Sequence, residues 1–232
     1  MYYAAVTEMD KQLGRLLEYL QTQGLTENTL IIFSSDNGPE DIHIGNTSHT
    51  GVGNAGPFRG RKRSLYEGGV RVPFLVSWPG HTPAGKVDTT SVIAGVDFIS
   101  TLCRVTGAKI PANLQLDGED MSAAFWGTPT ARTQPLLWKW RFRVFGEPFH
   151  RSPMLSIRQG NWKLLLNPDR SRVELYDIPR DPGEMNNMAA QHPDVVQELS
   201  AKALAWQQTL PKGMFDSEAG KNSWSWPQRT GK

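Results

Sequence analysis

Two short stretches of the sequence carry residue types that chemistry uses. Ser35-Asp36-Asn37-Gly38 directly follows the apolar run Leu30 to Phe33, and in open parallel α/β sheets ligands bind just beyond the carboxyl ends of the strands. A carboxylate and an amide carbonyl are hard oxygen donors, suited to Ca²⁺ or Mg²⁺. Asp-Asn-Gly is also good turn chemistry, and on the tetrapeptide alone the turn reading stands beside the metal reading. The second stretch, Gly56 to Pro73, sets Arg59, Arg61, Lys62 and Arg63 among glycines. Backbone N–H groups and cationic side chains can then converge on a tetrahedral oxyanion. A cation run is equally read as a solvated loop or a non-specific nucleic-acid patch, and Glu67 is spaced to pair with Arg71.

Other residues give blander readings. Arg132 to Arg151 holds five Lys/Arg against the single acid Glu147, a second candidate anion region. Within it Arg141, Arg143 and His150 read as solvated surface, with contact to an anionic ligand as the alternative. Trp138, Trp140 and Trp162 fall at strand alternation and read as core of a small sheet. Cys103 stands on the apolar side of a predicted helix, where a buried, inert thiol is expected.

The elements that must position these residues follow from periodicity. Tyr2, Val6, Met9, Leu13, Leu16 and Leu20 predict a helix that faces a core on one side and ends at Gly24. Leu30 to Phe33 and Phe74 to Trp78 are continuous apolar runs, expected as strands buried on both faces of a parallel sheet. Almost forty residues with little periodicity lie between them, too long for an idle connection. Val96, Ile99, Leu102 and Val105 predict a helix ending at Gly107. Leu136 to Trp140, Met154 to Arg158, Trp162 to Leu166 and Val173 to Tyr176 predict short antiparallel strands, the last two joined by a hairpin over Asn167 to Arg170. Pro193 opens a final helix with Val196, Leu199, Ala203 and Trp206 on one face. From Pro211 the polar tail is expected to be loosely held.

The bulk numbers fit a loop-rich globular chain: 232 residues, 38% hydrophobic and 21% charged, with 22 Gly and 16 Pro. A net charge of +2 is too small to imply nucleic acid. No apolar run approaches the roughly 18 residues of a membrane span, and no secretory signal is expected at Met1-Tyr2-Tyr3-Ala4. One Cys excludes an intrachain disulfide and a multi-Cys zinc site. The change of texture divides the chain into an α/β part over 1–130, a small antiparallel subdomain over 131–210 and a tail over 211–232.

Taken in order, these motifs resemble the type I sulfatase family, and most of all its arylsulfatase and N-acetylgalactosamine-6-sulfatase branch. The likeness rests on Asp36-Asn37-Gly38 after an apolar strand, on Lys62 four positions before Tyr66-Glu67-Gly68-Gly69-Val70-Arg71-Val72-Pro73, and on Trp78-Pro79-Gly80. It extends to Glu8-Met9-Asp10, to Asp97 to Gly107, and to Leu175-Tyr176-Asp177 with Asp181-Pro182-Gly183-Glu184. The resemblance implies an alkaline-phosphatase-like α/β sandwich, present in part, with a C-terminal α+β antiparallel subdomain. It implies calcium-dependent hydrolysis of a sulfate ester, on a sulfated small molecule or glycan. Asp36 and Asn37 match metal ligands, and Lys62 matches the lysine that binds sulfate oxygens. His49, in the loop between them, is a substrate or acid/base candidate and, as a loop His, also a surface residue. Glu67, Gly68, Gly69 and Arg71 match positions expected to shape the loop. The family's nucleophile is a formylglycine made from Cys or Ser in a Cys/Ser-x-Pro/Ala-x-Arg segment, expected upstream of the matched residues and so outside this chain. Two other readings stay open: a phosphoesterase or phosphotransferase of the same superfamily, and a non-catalytic anion- or nucleic-acid-binding module.

Overall fold

A computed structural model of the protein describes residues 2–41, 51–144 and 146–222. They pack as two units, one of Tyr3–Ser34 with Pro73–Leu136, the other of Ser35–Val72 with Tyr2 and the described residues from Leu137 onward.

In the first unit, α1 (Tyr2–Thr22) forms where the apolar spacing predicts it, and Gly24 closes it at φ 65°. The expected core contact is absent: no residue of α1 is buried, and Tyr3, Leu16 and Tyr19 are more than half exposed. Periodicity reports that a helix has an apolar face, and is silent on what covers it. The two apolar runs form β1 (Ile31–Ser34) and β2 (Phe74–Ser77), but they pair with each other antiparallel, Ile31 opposite Ser77 and Ser34 opposite Phe74. The expected parallel, doubly buried pair is thereby corrected, and Leu75 is 57% exposed. An unbroken β-branched run makes a strand suited to double burial without fixing its direction. A short 3₁₀ turn leads into α3 (Phe98–Thr106), which follows the four-residue α2 (Glu67–Val70) of the other unit in chain order and ends at Gly107 in the left-handed region. Cys103 on this helix is half-buried instead of buried. Buried Asp97 at its start takes a forked pair of bonds from Arg132, at 2.6 and 2.9 Å, and accepts the backbone N–H groups of Ala94 and Glu119. That fork fastens the segment around α4 (Ser122–Phe125) to α3.

The second unit is built on a four-stranded sheet in sequence order: β3 (Leu136–Lys139), β4 (Leu155–Gln159), β5 (Trp162–Leu166) and β6 (Glu174–Asp177). β4, β5 and β6 are antiparallel, joined at Gly160-Asn161 and over Asn167 to Arg172. Alternation sends the sheet's two faces to different partners. Leu155, Ile157, Leu164, Leu166 and Leu175 pack under α5 (Pro193–Thr209), against Leu199 and Ala203. On the opposite face Leu165, Tyr176 and Ile178 pack against Leu65 and Tyr66 of the glycine-rich loop, with Trp138 and Trp140 beside them. The antiparallel sheet is therefore the floor on which the candidate site is built.

The stretch after α5 is held more firmly than its polar composition suggests. Gly220's carbonyl accepts from Asn167 Nδ2 at 3.1 Å and from an Arg172 guanidinium nitrogen at 2.8 Å, and Asp216 N–H donates to the Arg141 carbonyl. Polar side chains satisfied by backbone leave no hydrophobic signature in a sequence.

Candidate active site

Three glycines bring the site's segments together. Gly38 N–H donates to the Gly69 carbonyl at 2.9 Å, and Gly68 N–H to that of Arg59 at 2.6 Å. A Cβ on Gly38 would fall inside the carbonyl oxygen of Gly68, and one on Gly68 would lie 2.7 Å from the carbonyl oxygen of Arg59. These neighbours are backbone atoms that cannot rotate away, so only glycine fits. Lys62 N–H then donates to the Pro39 carbonyl at 2.8 Å, fixing Lys62 to the segment that begins with Asp36 and Asn37.

The four clustered cations do not act alike. Arg59 is buried and stacked 3.7 Å over the Tyr66 ring, with its Nε donating to the Phe149 carbonyl and another nitrogen reaching the Tyr176 hydroxyl at 3.3 Å. Arg61 donates to the carbonyls of Glu40, Gly51 and Gly53 and lies 3.4 Å from Asp41. Arg63 pairs with Glu40 at 2.5 Å. Lys62 is half-buried, and among the described residues its ammonium has no hydrogen-bond or ion-pair partner. The three arginines are engaged within the loop, and Lys62 differs from them in having no such contact among the described residues.

Asp36 is exposed, and its carboxylate is likewise without a partner among the described residues. Asn37 donates from Nδ2 to the Gly38 carbonyl at 2.9 Å, which leaves its Oδ1 available. Two uncommitted hard oxygens on adjacent residues fit a calcium ion in kind, and fall short of its usual 6 to 8 ligands in number. Among the described residues no group of three or more His, Cys, Asp or Glu gathers in a metal-holding arrangement. His49 lies outside the described residues.

Glu67 does approach Arg71, at 3.6 Å, but its shorter contact is one that spacing could not predict. Lys163 Nζ, fully buried, sits 2.9 Å from Glu67 Oε1 and 3.0 Å from Glu184 Oε1. Burial pushes the Glu67 carboxyl up, yet Lys163, Arg158 and Arg71 outweigh it and hold the group below the usual range. Burial pushes Glu184 up to about 7, against the pull of Lys163. The one sequence signal for this cluster was Lys163 itself, a cation inside the otherwise apolar Trp162–Leu166 strand.

His150, read from sequence as surface, is half-buried, and its Nδ1 accepts the Gly60 N–H at 3.0 Å. Burial holds its imidazole below the usual range and neutral, so the proton sits on Nε2. It lines a cavity of about 310 Å³ with Asn54, Arg59, Arg61 and Phe149.

The glycine weave sets a lysine and a carboxylate–amide pair, all without partners for their functional atoms among the described residues, on neighbouring loop segments of an α/β protein. Comparison gives the family. The Sulfatase family model matches residues 1–108. The chain is 31% identical over 220 residues to human arylsulfatase A, covering 84% of this chain and 41% of that protein. It is 28% identical over 216 residues to N-acetylgalactosamine-6-O-sulfatase of Bacteroides thetaiotaomicron, covering 84% and 39%. Among solved structures, Ps i-CgsB in complex with k-i-k-neocarrahexaose matches at 29% identity with a TM-score of 0.67, over 85% of this chain and 40% of that one. The chain thus spans about two fifths of the length of these relatives, and it belongs to the type I sulfatase family, with that family's alkaline-phosphatase-like α/β fold.

One expectation about the nucleophile is corrected by the sequence itself. Ser225-Trp226-Pro227-Gln228-Arg229 fits the bare Cys/Ser-x-Pro/Ala-x-Arg pattern. It follows Asp36-Asn37 and Lys62 where the family order has it precede them, and it lies outside the described residues.

Proposed function

We propose that this protein takes part in calcium-dependent hydrolysis of a sulfate ester, carried on a sugar. The observation that carries the reading is Lys62: its backbone is tied to the Asp36–Asn37 segment and its ammonium has no partner among the described residues. A cation held in place and left uncompensated suits a sulfuryl group, whose oxygens carry the charge that grows in the transition state. Asp36 and Asn37 would hold the calcium ion, whose chemistry is to polarise the sulfuryl oxygens. His49 is a further candidate to contact substrate or move a proton. A formylglycine from sequence upstream of the matched residues would supply the nucleophile. The sugar is favoured because the N-acetylgalactosamine-6-O-sulfatase and the neocarrahexaose complex are named for carbohydrate ligands. In this reading residues 1–130 are the C-terminal part of the catalytic α/β domain and residues 131–210 its small antiparallel subdomain.

The test is turnover of an aryl sulfate by the chain extended upstream through the formylglycine segment. Lys62→Ala lowers turnover by roughly 10² to 10³, as expected for loss of one electrostatic stabiliser, and Arg63→Ala lowers it far less. Equal losses would make the loop a diffuse basic patch and overturn the role of Lys62. Turnover by the 232-residue chain alone, abolished by Ser225→Ala, would overturn the upstream nucleophile.

A further inference from the structure

The Asp181-to-Glu184 turn sends one side chain back beneath the loop that carries Lys62. Glu184 is fully buried and holds φ 52°, a conformation that a non-glycine residue keeps only where its surroundings over-determine it. Its Oε2 accepts the backbone N–H of Glu67 at 2.5 Å. That N–H opens α2 and has no acceptor within its own helix. Oε1 faces Lys163 Nζ at 3.0 Å, and the same ammonium binds the Glu67 side chain. Glu184 thus grips Glu67 twice, directly at the backbone and through Lys163 at the carboxylate. From α2 the contacts continue without a gap: Gly69 carbonyl to Gly38 N–H beside Asn37, and Pro39 carbonyl to Lys62 N–H.

We propose that Glu184 is a positioning residue for the site: by clamping α2 it fixes the backbone of Asn37 to Pro39, and with it the separation of Lys62 from the Asp36–Asn37 pair. The functional weight of the clamp rests on the reading of those residues as a sulfate-ester site, while the coupling itself stands on the contacts alone. The charge arrangement explains why a carboxylate is used. A neutral amide could still accept the Glu67 N–H, but only a carboxylate can give Lys163 a second counter-ion once Glu184 ionises, as pH rises through about 7. The charged and titratable groups facing Glu184 are Lys163 from β5, Glu67 from α2, Arg158 from β4 and Tyr176 from β6, while Arg59 from the loop donates to its backbone carbonyl.

The experiment is amide NMR on the ¹⁵N-labelled 232-residue chain, with inorganic sulfate as the probe of Lys62. In Glu184→Gln the amides of Glu67, Gly69, Gly38 and Lys62 shift together, and exchange of the Gly38 amide accelerates by about ten- to a hundredfold, the scale of losing a charge-assisted hydrogen bond. Leu164 and Leu175 amides in the sheet keep their protection. A Glu67 shift with Gly38 and Lys62 unmoved would overturn the coupling, and so would an equal loss of protection throughout the sheet. Should the variant fail to fold, the unaltered chain decides: the amides of Glu67 and Gly38 follow one common inflection with pH, distinct from that of Gly60, which reports His150. Separate inflections for Glu67 and Gly38 would overturn the proposal. Sulfate that leaves the Lys62 amide unmoved in the unaltered chain would sink the proposed function and leave the clamp standing.

Discussion

Gly38 lies so close to the carbonyl of Gly68 that a single methyl group on Gly38 would occupy the same space as that oxygen. The contact is backbone against backbone, so Gly38→Ala must part the two segments that hold Asp36–Asn37 and α2. We expect a loss of about 1 to 3 kcal/mol, the usual range for overpacking, read from urea unfolding. Gly14 makes the opposite case, since nothing lies within 4 Å of its Cβ position in α1. Gly14→Ala should gain about 0.5 to 1 kcal/mol of helix stability, and a loss at Gly14 or none at Gly38 would contradict this account.

Neighbouring cations should separate cleanly by what they hold. Arg61 satisfies three carbonyls in a loop with no regular hydrogen-bond ladder, and Arg61→Ala should cost about 2 to 3 kcal/mol. Lys62→Ala removes a side chain without a partner among the described residues and should stay within about 0.5 kcal/mol of the parent. The ranking should invert for sulfate affinity. A Lys62→Ala chain as destabilised as Arg61→Ala would show that its ammonium is engaged by the protein.

The division between what the sequence disclosed and what it withheld follows range. Helices α1, α3 and α5 and the four strands of the C-terminal sheet appear within a residue or two of expectation, because each is set by local period and by punctuation such as Gly24, Gly107 and Pro193. The antiparallel pairing of β1 with β2 is not legible in the sequence, because direction is a property of the connection, not of the apolar run. Motif order singles out Asp36, Asn37 and Lys62 as candidates, yet the contacts of Arg59, Arg61 and Arg63 depend on acceptors that no spacing rule reaches. Glu67 and Glu184 are 117 positions apart, and the sequence showed each only as a turn or loop residue. Lys163 was the visible anomaly, a buried cation that demanded partners somewhere.

Stability should respond to pH through that same cluster. Glu184 titrates near 7 in the fold and near 4.5 when exposed, so the folded state keeps a proton that the unfolded chain has lost. Its contribution is full below about pH 4.5 and is lost as pH rises towards about 7. Two groups oppose it. Glu67, held low by its cations, contributes above 4.5 and loses that contribution as pH falls through its folded value. His150, kept neutral by burial, contributes above 6.5 and loses it as pH falls. The comparison must therefore be with Glu184→Gln, which removes one group and keeps the other two. Between about pH 5 and 7 the parent should lose stability relative to this variant, on the order of 1 to 3 kcal/mol. A difference that is flat or rises with pH would contradict the burial of a protonated Glu184.

The segment after α5 offers the last test, because its polar sequence and its contacts point in opposite directions. Gly220 holds φ 69° and presents its carbonyl to both Asn167 and Arg172, while Arg172 also reaches Glu174 at 3.0 Å and the Arg151 carbonyl at 2.9 Å. Asn167 in turn accepts the Met154 N–H, so one tail carbonyl completes the bonding of the β5–β6 connection and of the entry to β4. A Cβ at Gly220 would meet Met154 Cγ at 2.8 Å and the Asn167 amide closer still. Gly220→Ala should therefore destabilise the sheet unit by about 1 to 3 kcal/mol, combining a strained φ with displacement of two donors. Ending the chain after Lys212 should do at least as much, because Asn167 and Arg172 would then keep buried donors with no acceptor. Urea midpoints followed through Trp fluorescence would measure both. A shortened chain that unfolds with the parent's midpoint would mean that the clamp at Gly220 contributes nothing, and that the loosely held tail expected from composition was the better description.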